Sequence, residues 1–142
     1  MDWVSCKKNR LVKEIKKDDN LIKSLINSSF NKIKSQETIK LNKETAASKI
    51  SLAYDSLREL LEAIAISKGY KIYNHECYYC FLKEILNENS IADEFNNFRK
   101  IRNNVNYYGK EMDINEAEII IKKMIELIQK IKHLNILKID EK

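Results

Sequence analysis

An all-α chain, folded as an up-and-down bundle of four to five helices, is the fold class that three observations predict. The 142 residues include two glycines and no proline, where average usage gives about ten and about seven. Turn-rich β architectures take their corners from those two residue types. Apolar side chains recur at steps of three, four and seven along almost the whole sequence, the spacing of one helix face. The length is that of a single domain over 1–142 and allows about two-thirds of the unfolded chain's surface to be buried. Glycine scarcity also excludes phosphate cradles, because neither the dinucleotide fingerprint nor the P-loop can be assembled from Gly69 and Gly109.

The elements follow in order. Leu11, Ile15, Ile22, Ile26, Phe30 and Ile33 share one periodic face and predict a helix from Trp3 to Lys34, about 48 Å long if unbroken. Asp18 or Asp19 is a candidate cap that would divide it into two. Residues 35–43 lack a period and read as a connection. From Glu44 to Lys68 the face is broad, with Ile50, Ala53, Tyr54, Leu57, Leu60, Leu61, Ile64 and Ala65. Gly69 then offers the left-handed conformation that stops a helix. Tyr70 to Asn74 is a connector, and His75 to Asn87 a third helix with His75 as its cap. Ser90 and Asp93 have capping-box spacing for a fourth, which runs to Tyr107 or Tyr108 and stops at Gly109. Asp113 and Glu116 have the same spacing before a last helix to His133, whose apolar face is Ala117, Ile120, Ile121, Met124, Ile125, Ile128 and Ile131. Residues 134–142 read as a frayed tail.

Charge and cysteine usage indicate the setting. Lysine and arginine total 26 against 21 acidic residues, a net charge of +5. Residues 1–50 hold twelve basic and six acidic side chains and the remainder fourteen and fifteen, so the surplus lies in the first third. That distribution is either a solvated lysine-rich face or the footprint of an anionic partner. No apolar run approaches the about 18 residues of a membrane span, and the first residues lack a signal-peptide pattern. The sequence therefore reads as cytoplasmic, with Cys6, Cys77 and Cys80 reduced. His75, Cys77 and Cys80 lie within one short segment but lack a fourth zinc ligand, and the cysteines read as buried thiols rather than a metal site. No cofactor is implied.

Chemistry concentrates between Phe95 and Gly109. Phe95, Phe98, Ile101, Val105 and Tyr108 form a core-facing stripe, while Arg99, Arg102, Asn103 and Asn106 step along a neighbouring one that Tyr107 joins at its edge. Guanidiniums match phosphate oxygens, carboxamides add donors and acceptors, and a phenol adds a hydroxyl or a stacking face. Such a face suits a phosphodiester. The same residues also serve as ordinary helix-surface polar groups, with the arginines pairing to carboxylates such as Glu94.

Three segments in this order, Ser51-Leu-Ala-Tyr-Asp-Ser-Leu-Arg-Glu-Leu-Leu-Glu-Ala-Ile-Ala65, Gly69-Tyr70-Lys71 with His75, and Arg102-Asn-Asn-Val-Asn-Tyr-Tyr-Gly109, resemble the HEPN family, the nucleotide-binding helical domains of higher eukaryotes and prokaryotes. The resemblance covers residues 46–132. It implies an up-and-down bundle that dimerises and sets two arginine motifs across a cleft. Many members are metal-independent endoribonucleases, frequently toxins paired with a small nucleotidyltransferase antitoxin, and others are noncatalytic RNA- or nucleotide-binding modules. On that basis Arg102, Asn103 and Tyr107 are the candidate catalytic set, and Arg99, Asn106 and Tyr108 the candidate nucleic-acid contacts. The family motif carries histidine where this chain has Tyr107. Cleavage by the RNA 2′-hydroxyl needs a base and an acid that work near neutral pH, and a phenol of pKa ~10 is ionised in only about one molecule per thousand there. The implied function is thus binding of RNA or a nucleotide with weak or absent ribonuclease activity. A noncatalytic dimeric interaction module is the alternative.

Overall fold

The computed structural model describes residues 1–107, 112–134 and 136–137, with the Tyr107 side chain left aside. The chain is an all-α helical bundle with six helices among the described residues, against the four to five expected, and one two-stranded ribbon. The extra helix comes from the amino-terminal segment, which is not continuous. Helix α1 covers Trp3–Lys8 and is capped by Asp2, whose Oδ1 accepts from the Ser5 amide at 2.8 Å. It ends where Arg10 takes a left-handed φ of 59°. Strand β1 follows at Val12–Glu14, and Asp18 caps α2, Asp19–Thr38. Helical periodicity thus continued through a turn and a strand: Leu11, Ile15 and Ile22 are apolar in both readings.

Helix α3, Ala46–Ser67, runs back along α2. Their contacts show the antiparallel sense, since Ile22 clusters with Ala63 and Ile66, Ser29 bonds Ser56, and the Gln36 carbonyl accepts from Lys49. The whole predicted face of α3 is buried, and so are Ser56, Glu59, Glu62 and Ile66, because α2, α5, α6 and the ribbon surround it. Most buried polar groups there have a partner, although Glu59 Oε2 accepts no hydrogen bond among the described residues. Glu59 pairs with Lys32, and Ser29 and Ser56 each bond the other's carbonyl at 2.8 Å. Lys49 donates to the carbonyls of Gln36 and Ile39 at the end of α2, where the Gln36 carbonyl also accepts from the Ile39 amide.

Helix α3 stops as expected. Gly69 has φ +89° and its amide donates to the Ile66 carbonyl at 2.9 Å. Strand β2, Tyr70–Ile72, then pairs antiparallel with β1, matching Val12 to Ile72 and Glu14 to Tyr70. The segment read as a plain connector is therefore half of the ribbon. Next comes α4, His75–Cys80, capped by Asn74, whose Oδ1 accepts from the Glu76 amide at 2.8 Å. His75 lies inside the first turn and is not the cap. A π turn over Phe81–Ile85 continues α4 and puts both Phe81 and Leu82 in the core. Helix α5 covers Asn89–Tyr107, so Ser90 sits within its first turn and does not cap it. Helix α6, Ile114–His133, is capped by Asp113 as expected, and its apolar face lies on α3. Gly109, Tyr108 and the tail from 138 lie outside the described residues, as does Asn135.

The cysteines depart from expectation. Cys6 and Cys77 form a disulfide that ties α1 to α4, while Cys80 is a buried free thiol. Trp3 supports the same junction, packing 5.1 Å from the Tyr70 ring and 5.7 Å from Phe81. Among the described residues no helix is long and apolar enough to cross a membrane.

A Cβ at Gly69 would meet the Ile15 carbonyl at 3.4 Å on a backbone with φ +89°. Replacing Gly69 by alanine imposes that conformation on an L side chain, and we expect a loss of about 1 kcal/mol or more, seen as a melting temperature lower by about 3–5 °C in calorimetry.

Candidate functional site

The site is built on α5 by the same alternation that builds the core. Phe95, Phe98 and Val105 are buried as the sequence predicts, with Ile101 half-buried beside them. Their burial fixes the rotation of α5 and turns the neighbouring stripe toward α3 and α4. Arg102 reaches α3, where its guanidinium carbon lies 5.3 Å from the centre of the Tyr54 ring and an Nη lies 4.0 Å from the Asp55 carboxylate. Arg99 stays on its own helix and donates through Nε and Nη2 to Asn96 Oδ1 at 3.1 and 3.0 Å. Asn106 Oδ1 accepts from the Ser51 hydroxyl at 2.9 Å. Asn103 is half-buried on the same stripe. Tyr107 closes α5 with its side chain outside the description, and Tyr108 lies outside it altogether.

Four further residues complete this cluster, and none was in the predicted site. Tyr54, Asp55 and Arg58 come from α3, and His75 comes from the first turn of α4. The Tyr54 hydroxyl and His75 Nδ1 are 3.1 Å apart. Tyr54 is fully buried, its ring stacked 5.8 Å from Phe95, and Tyr78 meets the edge of Phe95 at 6.1 Å. Arg58 donates to Glu62 at 3.1 Å, one turn along α3, and Lys71 of β2 pairs with the other oxygen of the same carboxylate. The sequence does carry a signal for this: Tyr54 and Arg58 are one turn apart on α3, with Asp55 beside them. Burial of the phenol and its histidine partner, though, depends on α4 packing on α5 and bringing His75 to the Tyr54 hydroxyl.

Electrostatics follow from this placement. His75 is held below its ordinary pKa first by burial, then by the guanidiniums of Arg58 and Arg102, with Arg99 adding a little and Asp55 opposing. It is therefore neutral at pH 7. Burial pushes the Tyr54 phenol upward, and the nearby arginines only partly offset this. Tyr78 is raised for the same reason, with Glu62 adding to it. Both phenols keep their protons and act as hydrogen-bonding groups, not bases. Three guanidiniums, Arg58, Arg99 and Arg102, thus act on one neutral imidazole, with Asp55 as the opposing carboxylate. An anion with several oxygens suits such a field, since arginine forks bind oxyanions in charge-assisted pairs. Among the described residues no group of three or more histidine, cysteine or acidic side chains could hold a metal ion.

Removing Arg102 charge should raise the His75 pKa, and an NMR titration of Arg102→Gln would show the imidazole shifting toward its ordinary value of 6.5. Because the folded chain takes up this proton at lower pH than the unfolded chain, stability held above pH 6.5 is lost as the pH falls below it. Thermal unfolding of His75→Gln should accordingly depend less on pH just below 6.5 than that of the parent protein. Comparison with protein-family models, with curated proteins and with solved structures found no match for this chain.

Proposed function

We propose that this chain is a HEPN-like domain that binds RNA or a nucleotide through phosphate, using the face formed by α5 with α3 and α4. What carries the reading is the placement of Arg102 over the buried Tyr54 ring, whose hydroxyl meets His75, with Asn106 on the same stripe of α5. In this reading Arg102 and Arg99 hold phosphate oxygens, Asn103 and Asn106 bond sugar or base, and Tyr107 and Tyr108 flank the ligand at the end of α5. A phosphate oxygen competes in this reading with Asp55, 4.0 Å away, for Arg102. The family resemblance adds a homodimer that joins two such faces, and a nucleotidyltransferase-type antitoxin as partner of a toxin-like component. Ribonuclease activity is weak or absent in this proposal, because Tyr107 replaces the motif histidine and a phenol is a poor base near neutral pH.

A specific observation favours the second reading, a noncatalytic dimeric interaction module. Arg102 already covers the Tyr54 ring and faces Asp55, contacts that a purely structural arginine makes. The two readings separate in one experiment. If phosphate binding is the function, Arg102→Ala should weaken binding of a short single-stranded RNA by about tenfold or more and lower the salt dependence by about one counterion, with the oligomeric state unchanged in sedimentation. Unchanged RNA affinity in a folded Arg102→Ala protein would falsify the phosphate role, and dissociation of the dimer instead would assign the arginine to assembly. For cleavage, Tyr107→Phe is the informative variant: any metal-independent activity that survives it excludes the Tyr107 hydroxyl as the catalyst.

A further inference from the structure

The basic surplus of the first fifty residues is not used by the α5 face, and part of it borders a different feature. Helices α2 and α6 each lie on α3 and leave between them a furrow of about 1580 Å³, above the ~300–1,000 Å³ of small-molecule sites. It runs beside α2 from Asp19 to Glu37, with Lys17 just before the helix. That helical stretch is about 27 Å long. Its apolar lining is the half-buried Ile26, Ile33 and Ile125 over the buried Ile22 and Ile128, with the chain's own Ile136 and Leu137 at one side. Its rim carries Lys17, Lys23, Lys34 and Lys132 against Asp19 and Glu37. Lys17 pairs with Asp19 at 3.6 Å, and the Lys132 ammonium lies 4.1 Å over the Phe30 ring. Lys23 and Lys34 are exposed and make no ion pair among the described residues.

We propose that this furrow docks an acidic amphipathic helix of a partner protein. The apolar stripe of the incoming helix would cover the isoleucines, and carboxylates beside that stripe would meet Lys23 and Lys34. A helix laid between α2 and α6 continues the packing that α3 already makes with both. The aliphatic floor disfavours single-stranded nucleic acid, which needs aromatic faces for its bases. Phe30, the aromatic residue of the furrow, is already covered by Lys132. The proposal is independent of the phosphate reading, since no residue of the α5 face lines the furrow.

The test uses the full chain and a fluorescent synthetic peptide of about twenty residues, with leucines at helical spacing and glutamates elsewhere. A scrambled peptide of the same composition and a version with lysine for glutamate are the controls. Anisotropy should show binding of the acidic amphipathic peptide but not of the scrambled one. The exposed double change Lys23→Glu/Lys34→Glu should weaken that binding by about tenfold or more and favour the lysine peptide, while Arg102→Ala leaves it unchanged. Equal binding of the scrambled peptide, indifference to the double charge reversal, displacement by single-stranded RNA, or no binding of any peptide would each overturn the proposal.

Discussion

Helix α3 must be buried on every side, and most of the structure is arranged to allow it. Its apolar residues from Ala53 to Ile66 are almost fully removed from water. Each large aliphatic side chain buried in this way contributes about 1.5–3 kcal/mol. No single neighbour could cover a helix that is apolar over so much of its circumference. α2, α5, α6 and the ribbon each take a sector. The cost appears in the polar groups that the same helix carries inward, since an uncompensated buried charge is strongly destabilising. Lys49, Glu59 and Glu62 are held by the end of α2, by Lys32, and by Arg58 with Lys71 respectively.

The candidate site is the polar end of this core. Tyr54 is as buried as the leucines around it, yet its hydroxyl needs a partner, and His75 supplies one. Arg102 lies over the outer face of that ring, where a cation gains from the π electrons. The residues that fix the core thus also fix the positions of the imidazole and the guanidinium. The burial that keeps His75 neutral is a by-product of covering α3, reinforced by the arginines. In the proposed reading such a cluster would hold an oxyanion with its donors in place before the ligand arrives.

The amino-terminal segment is secured by a separate set of contacts. Trp3, the Cys6–Cys77 disulfide and the pairing of β1 with β2 all join it to the stretch around α4. Since α4 also carries His75, the placement of the imidazole depends on both ends of this junction. The furrow between α2 and α6 has the opposite character: Ile26, Ile33 and Ile125 are only partly covered by the chain itself, and the exposed Lys23 and Lys34 make no ion pair among the described residues.

Local patterns were legible in the sequence because they are set within one or two helical turns. The apolar faces of α3, α5 and α6, the left-handed stop at Gly69 and the Asp113 cap all depend on residues three or four apart, and all are present in the fold. The arginine stripe of α5 was legible for the same reason. Residues brought together from distant parts of the chain were not. Periodicity ran through Arg10 and β1 because a strand and a helix can share apolar positions over so short a stretch, and only pairing with β2 decides between them. Spacing of 71 residues carries no sign that Cys6 meets Cys77. Tyr54 and His75 are 21 residues apart and look like a core aromatic and a helix cap. Sequence by itself determined an all-helical chain and the face of each long helix. Tertiary structure alone decided which polar groups are buried together, because desolvation and long-range pairing exist only once α5 has packed on α3 and α4 on α5.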